Sequence, residues 1–220
     1  MYSVQYINLH ERFDRRCRLE ELFGKSSIFT LHRFNAIKHK DGAIGCTLSH
    51  LKLLKQAMDE NWDYFLVIED DFMVDDFCLF ENKFKSIIES KMDFDVLLLG
   101  GNILPPYVKT SKDTVRIHHS QTTVGYMVKK HYYQTLYRNI KEGLYYLMKI
   151  PNERVKYAID KYWIKLQKRD KWLLIYPLMV YQHEDYSDIE GRNVDYKNLM
   201  LDPDKEAWVK AAIRNKNKSK

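Results

Sequence analysis

Apolar residues fall into two rhythms that alternate along the chain. Val4–Leu9 reads as an opening strand, and Glu11–Phe23 follows with Phe13, Cys17 and Leu22 at helical intervals and Gly24 as a stop. Phe29–Phe34 reads as a second strand and Asp41–Gly45 as a glycine-punctuated loop. From Thr47 the positions Leu48, Leu51, Leu54 and Met58 again predict a helix. Tyr64–Ile68 is a continuous apolar run that stops at Glu69-Asp70-Asp71, the pattern of a buried strand delivering polar groups at its carboxyl end. Lys83–Ser90 predicts a helix, and Asp95–Leu99 a buried strand closed by Gly100-Gly101. Val115–His118 and Thr122–Val128 read as further strands and a candidate pair. Lys130–Lys149 is a long helical stretch rich in Tyr, broken by Pro151 and resumed over Glu153–Lys165. Trp172–Val180 reads as a last strand, bent or at an edge because of Pro177. The alternation predicts an α/β fold with one mixed sheet flanked by helices, in a single domain.

Composition narrows this picture modestly. At 220 residues, 45% hydrophobic and 30% charged, the chain suits one sizeable globular domain. The net charge of +6 favours an anionic partner without naming it. Part of the charge sits in the end segment Arg214–Lys220, read as a solvated tail rather than a nucleic-acid arm, so no nucleic-acid partner is expected. Cys17, Cys46 and Cys78 form no CxxC pair and are odd in number, which suits free thiols in a reducing compartment. Residues 1–9 lack a signal-peptide pattern. The apolar runs Phe65–Ile68 and Val96–Leu99 are too short to span a bilayer, so the expectation is a cytoplasmic protein without a transmembrane segment.

The acidic triplet is the main candidate for chemistry. If the strand persists through Asp71, Glu69 and Asp71 share one face and Asp70 takes the other. Carboxylates so placed repel unless a cation lies between them, and oxygen ligands suit Mn²⁺ or Mg²⁺. A solvated strand end is the plainer alternative. The following pair, Asp75-Asp76, reads as surface.

Several segments, taken in order, resemble glycosyltransferase family 25, which includes lipooligosaccharide and collagen galactosyltransferases. Ile7-Asn8-Leu9 with Arg12, Asp14 and Arg15 is similar to the family's INLxxRxDR opening. Gly42-Ala43-Ile44-Gly45-Cys46-Thr47-Leu48-Ser49-His50 is similar to its GxIGCxLSH segment, the most specific match, and Phe65–Asp71 to its strand ending in EDD. Leu97–Gly100, Thr123–Val128, Ala158-Ile159-Asp160 and Tyr176–Gln182 with Ser187-Asp188-Ile189 resemble later elements. The resemblance covers roughly residues 4–190. It implies a GT-A type, Rossmann-like sheet and a nucleotide-sugar donor held through a divalent metal. The corresponding division is a domain over 1–208 and a frayed basic tail over 209–220.

The resemblance also implies roles. Asp71 would be the direct metal ligand, Glu69 the first acid near the ribose or a metal-bound water, and Asp70 a donor-site residue. His183 is the candidate third ligand, with a surface-loop histidine as the alternative. Asn8, Arg12 and Arg15 would hold the nucleotide or its phosphates, unless the arginines serve a solvated helix face paired with Glu20 or Glu21. Gly45, Ser49 and His50 would approach an anion or a sugar hydroxyl, although His50 suits a core position equally. Cys46 reads as a small buried thiol. Asp160 is the candidate general base, with a helix-surface charge beside Lys156 and Lys161 as its alternative. Tyr132, Tyr133, Tyr137, Tyr145 and Tyr146 read as helix packing. The implied activity is an inverting, metal-dependent hexosyltransferase. It moves galactose or glucose from a UDP-sugar to a glycan, glycolipid or protein hydroxyl. The rivals are a nucleotidyltransferase-like enzyme, disfavoured by the lack of GxxxxGK[ST], and a silent sugar-nucleotide-binding module.

Overall fold

The computed structural model describes residues 1–187 and 189–205. The basic tail expected over 209–220 and Asp188 lie outside the described residues, as does the end of the domain expected to reach 208.

The chain opens β1 (Tyr2–Asn8), α1 (Phe13–Phe23), β2 (Phe29–Asn35), α2 (Gly42–Asp59), β3 (Tyr64–Glu69), β4 (Phe72–Val74), α3 (Phe77–Glu89) and β5 (Val96–Leu98). Short strands follow: β6 (Asn102–Ile103), β7 (Val108–Lys109), β8 (Thr114–Arg116) and β9 (Ser120–Gln121), then β10 (Gly125–Lys129). The long α4 (Tyr133–Lys149) precedes three short helices, α5 (Arg154–Tyr157), α6 (Ile159–Tyr162) and α7 (Ile164–Arg169). The last elements are β11 (Trp172–Ile175), β12 (Val180–Gln182), β13 (Asp185–Ser187), β14 (Arg192–Val194) and α8 (Lys197–Leu201).

Eight strands form the main sheet in the order β2-β1-β3-β10-β5-β11-β8-β7. β1 runs parallel to β2 and β3, and β11 runs parallel to β5, whereas β10 is antiparallel to both β3 and β5. The sheet is therefore mixed, and β1, β2, β3, β5 and β11 all point their carboxyl ends the same way. Period-two alternation sends Val4, Tyr6, Leu66, Ile68, Leu97 and Leu99 to one face, where Leu19 and Phe23 of α1 and Phe80, Phe84 and Ile87 of α3 cover them. Ile7, Phe65, Val67, Val96, Leu98 and Tyr126 fill the other face beneath Leu53 and Leu54 of α2, Leu136 and Ile140 of α4, and Trp163. The α/β class and the single mixed sheet flanked by helices agree with the sequence expectation.

Several boundaries differ for physical reasons. The expected loop Asp41–Gly45 is the first turn of α2, capped by Asp41, whose side chain accepts from the Ala43 N–H. Asp76 is exposed, as expected, and has a further role. It caps α3, which begins at Phe77 rather than Lys83, by accepting from the Leu79 N–H. The strand over Trp172–Val180 is two strands, β11 in the main sheet and β12 paired with β4. The candidate pair at Val115–His118 and Thr122–Val128 does not form: β8 pairs with β7 and β11, whereas β10 lies between β3 and β5.

Candidate active site

A cleft of about 970 Å³ opens over the carboxyl ends of β1 and β3. Its walls include Gly42, Gly45 and Cys46 at the start of α2, Glu69–Asp71, Gln121–Thr123, Arg154, Ala158–Lys161, and Gln182-His183. This is the crevice that open α/β sheets use for ligands. Of the candidate residues, Arg15, Gly45, Ser49, Glu69, Asp70, Asp71, Asp160 and His183 all line it.

Glu69 ends β3 at the floor. Its Oε1 accepts from Thr123 Oγ1 at 2.8 Å, His50 Nε2 at 3.2 Å and Cys46 Sγ at 3.4 Å. His50 thus carries its proton on Nε2, and Tyr126, whose hydroxyl is 2.9 Å from Nδ1, donates to it. His50 is 0% exposed, so it supports Glu69 rather than meeting a ligand. Burial pushes the Glu69 carboxyl up, and the His50 contact together with Thr123 and Cys46 more than offsets this, leaving it below its ordinary value. Burial, reinforced by the charges of Glu69 and Asp160, pushes the Cys46 thiol up. The ligand atoms of Cys46, His50 and Glu69 lie within 4.8 Å of one another, close enough to hold a metal ion. Three donors aimed at one oxygen describe a protonated hydrogen-bond network better than a thiolate site.

Ser49 is equally spent. Its hydroxyl accepts from the Ile37 N–H at 2.8 Å and donates to the Gly45 carbonyl at 2.8 Å. A Cβ on Gly45 would meet the Ile37 carbonyl oxygen at 2.6 Å, so this helix start and the 37–41 loop are locked together. Gly45→Ala is expected to lower stability by ~1–3 kcal/mol, as overpacking against backbone does. A denaturant midpoint equal to that of the parent would refute the locking.

Asn8 is 1% exposed and also not free for a nucleotide. Its Nδ2 donates to Asp70 Oδ2 at 2.7 Å and to the Arg12 carbonyl at 2.9 Å, and its Oδ1 accepts from Arg33 Nε at 2.9 Å. Arg15 Nη1 donates to Asp70 Oδ1 at 3.0 Å, and its Nε and Nη2 reach Asp185 Oδ2 and the Tyr186 carbonyl. Arg12 shares Asp185 at 2.7 Å. The alternative reading paired these arginines with Glu20 or Glu21; among the described residues Arg15 instead meets Asp70 and Asp185, and Arg16 takes Glu20. The first helix therefore holds Asp70 and the β13 strand in place at the cleft wall.

Asp71 and His183 are less fully engaged. β3 ends at Glu69, and Asp70-Asp71 form the turn into β4, so strict strand alternation does not govern the triplet. Pairing of β4 with β12 brings the His183 N–H to 2.7 Å from the Asp71 carbonyl. Gln182 Nε2 donates to Asp71 Oδ2 at 3.0 Å, and Arg15 Nη1 is 3.9 Å from the same oxygen. Asp71 Oδ1 and His183 Nδ1 are buried with no hydrogen-bond partner among the described residues. Burial, with the charges of Glu69 and Asp70, pushes the Asp71 carboxyl up to about 8. Two buried ligand atoms without partners, an oxygen and an imidazole nitrogen on residues joined through their backbones, have the chemistry to hold a divalent cation. Glu69 joins them in the cleft, but its Oε1 belongs to His50.

Asp160 reaches the cleft from α6. Its Oδ2 accepts from the Thr122 N–H at 3.1 Å and lies 3.5 Å from Lys161 Nζ. Thr122 has φ +76°, a left-handed conformation that costs a β-branched residue ~1–3 kcal/mol.

With this geometry in view, residues 40–150, just over half of the chain, match the family described as glycosyltransferase family 25 (LPS biosynthesis protein). The chain belongs to glycosyltransferase family 25. It is 28% identical over 182 residues to procollagen galactosyltransferase 1 of Danio rerio, with 74% of this chain and 30% of that protein covered. The chain thus spans less than a third of that relative's length. Among solved structures it is similar to mannose-1-phosphate geranyltransferase from Thermus thermophilus (13% identity, TM-score 0.43, 79% and 73% of the two chains covered). It is also similar to a glycosyltransferase involved in glycosylation of the major capsid of PBCV-1 (11% identity, TM-score 0.41, 79% and 92% covered).

Most of the family 25 segments quoted from the sequence contribute residues to this cleft; Leu97–Gly100 does not. Sequence reasoning missed Thr123, Tyr126 and Gln182, which orient the acids, and Arg154 and Lys161, which add positive charge to the wall. Thr123, Tyr126 and Gln182 did carry a signal, through their places in family-like segments. The three cysteines are free, and no helix among the described residues is long and apolar enough to cross a membrane.

Proposed function

We propose that the cleft transfers a hexose, galactose or glucose, from a UDP-sugar to an acceptor hydroxyl with inversion, using Mn²⁺ or Mg²⁺. The observation that carries this reading is the orphaned pair Asp71 Oδ1 and His183 Nδ1, buried in the same cleft as Asp160. Asp71 and His183 would hold the cation, with Glu69 next to them. Bound there, it would neutralise charge on the departing diphosphate. The bonds Asp160 makes fall on Oδ2, so Oδ1 is assigned to take the acceptor proton. As that hydroxyl oxygen bonds to the anomeric carbon, the bond from that carbon to the β-phosphate oxygen breaks and UDP leaves with the electron pair. Arg154 and Lys161 on the wall would favour the anionic donor. The acceptor is a glycan, glycolipid or protein hydroxyl.

UDP release from UDP-galactose and UDP-glucose in Mn²⁺ tests the reading directly. Turnover is expected with at least one donor, to vanish in chelator, and to fall by ~10²–10⁴-fold in kcat in Asp160→Asn at little-changed donor KM. Chelator-insensitive turnover would remove the metal from the scheme. An unaltered kcat in Asp160→Asn would remove the base.

A further inference from the structure

One corner of the cleft is not used by the scheme above. β6 and β9 form a two-stranded ribbon at the carboxyl edge of β5, in which Asn102 lies opposite Gln121. The ribbon is tightly built: a Cβ on Gly101 would meet Ser120 Oγ at 2.3 Å. Asn102 Oδ1 and Thr122 Oγ1 are both buried with no hydrogen-bond partner among the described residues. Both residues line the cleft, together with Gln121, Asp160 and Lys161. Neutral polar groups left unsatisfied inside a folded chain call for an explanation, and a ligand supplies one.

The chemistry of the corner selects the ligand. A carboxamide offers one acceptor and two donors, and a threonine hydroxyl offers both. That set matches the hydroxyls of a pyranose ring better than a phosphate, because the corner's cation, Lys161, is already held by Gln121 Oε1 and Asp160 Oδ2 and an anion would meet the carboxamide oxygen and the carboxylate as like partners. The backbone at Thr122 points the same way. Its φ of +76° is held by the Asp160 carboxylate on its N–H. A bend kept in a strained conformation at a cleft wall, and tied to the proposed base, is placed by the site rather than by local preference.

We propose that Asn102 and Thr122 form a sugar-hydroxyl subsite that binds a hexose ring beside Asp160. This rests on the reading of the cleft as a UDP-hexose transferase site. The ring belongs either to the donor or to a glycosidic acceptor, and the two sources are separable by experiment.

Calorimetry in Mn²⁺ would use UDP, UDP-galactose and UDP-glucose as the donor arm, and methyl galactoside and methyl glucoside on the UDP-saturated protein as the acceptor arm. Asn102→Ala and Thr122→Val are expected to weaken either a UDP-hexose or a methyl hexoside about 10-fold, while UDP binds as before. Thr122→Ser, which keeps the hydroxyl, is expected to bind as the parent does. Neither side-chain oxygen has a partner among the described residues, so melting temperatures should hold. Thr122→Gly is a second check, because it relieves the left-handed strain and should melt no lower than the parent while losing the hexose. Loss in the donor arm assigns the corner to the transferred sugar, and loss in the acceptor arm to the acceptor sugar. Variants that bind every probe as the parent does overturn the subsite while leaving the transferase reading intact. A parent protein that binds neither UDP nor UDP-hexose overturns that reading, and the subsite with it.

Discussion

Asp71→Asn is expected to cost at least ~10³-fold in metal-dependent turnover, of the order seen when an electrostatic stabiliser is removed, and yet to make the metal-free protein more stable. The two effects share one cause. Burial, reinforced by Glu69 and Asp70, pushes the Asp71 carboxyl up to about 8, far above its ordinary value. In chelator the folded protein therefore keeps a proton that the unfolded chain has already released. Folded-state binding of more protons means that stability falls as pH rises, here across about pH 4 to 8, and the whole deficit is present above that window. Asparagine removes the charge and can still accept from Gln182, so the deficit disappears. The gain in melting temperature at pH 8 should be on the order of 5 °C and should vanish near pH 4. Mn²⁺ should raise the melting temperature of the parent more at pH 8 than at pH 6, because below the shifted value it competes with the proton. The variant should show no Mn²⁺ effect. A variant that keeps Mn²⁺-dependent turnover, or whose melting temperature in chelator follows the parent's at every pH, would refute the assignment.

The sequence pointed to the acids but not to the groups each one meets, and the chain's own geometry explains why. The apolar run Phe65–Ile68 and the abrupt acids were visible, and so was a site at that strand's end. What ends the strand is not local: Asp70 and Asp71 turn so that β4 can pair with β12, whose residues come more than a hundred positions later. Strand alternation therefore does not decide which groups each acid meets. Asp70 goes to Asn8 and Arg15, whereas Glu69 goes to His50 and Thr123. Asn8, Ser49 and His50 were legible as site residues because their motifs surround the cleft. Their depth was not legible, since burial depends on which helix covers which face. The strain at Thr122 and the unpaired oxygens of Asn102 and Thr122 leave no mark in periodicity at all.

His50→Ala is the variant that separates support from contact. The imidazole is enclosed between the Tyr126 hydroxyl and the Glu69 carboxylate, and it stacks against the Tyr126 ring at a centroid distance of 5.6 Å. Removing it leaves a buried carboxylate and a buried hydroxyl each short of a partner, beside a new cavity. The expected loss is ~3 kcal/mol, from a buried carboxylate and hydroxyl left short of a partner beside a cavity, read from denaturant midpoints. Tyr126→Phe removes one hydrogen bond at the far end and should cost only ~1 kcal/mol. If His50 acts on the donor site through Glu69, the double variant His50→Ala/Glu69→Gln should lose less than the sum of its parts by ~1 kcal/mol or more. Its donor KM should then match that of Glu69→Gln alone. Additive losses, or a His50→Ala protein of parental stability, would show that the histidine merely fills space. The coupled outcome would place three residues of the GxIGCxLSH-like segment in one task. Gly45 and Ser49 fix the backbone beside the cleft, and His50 fixes the carboxylate within it.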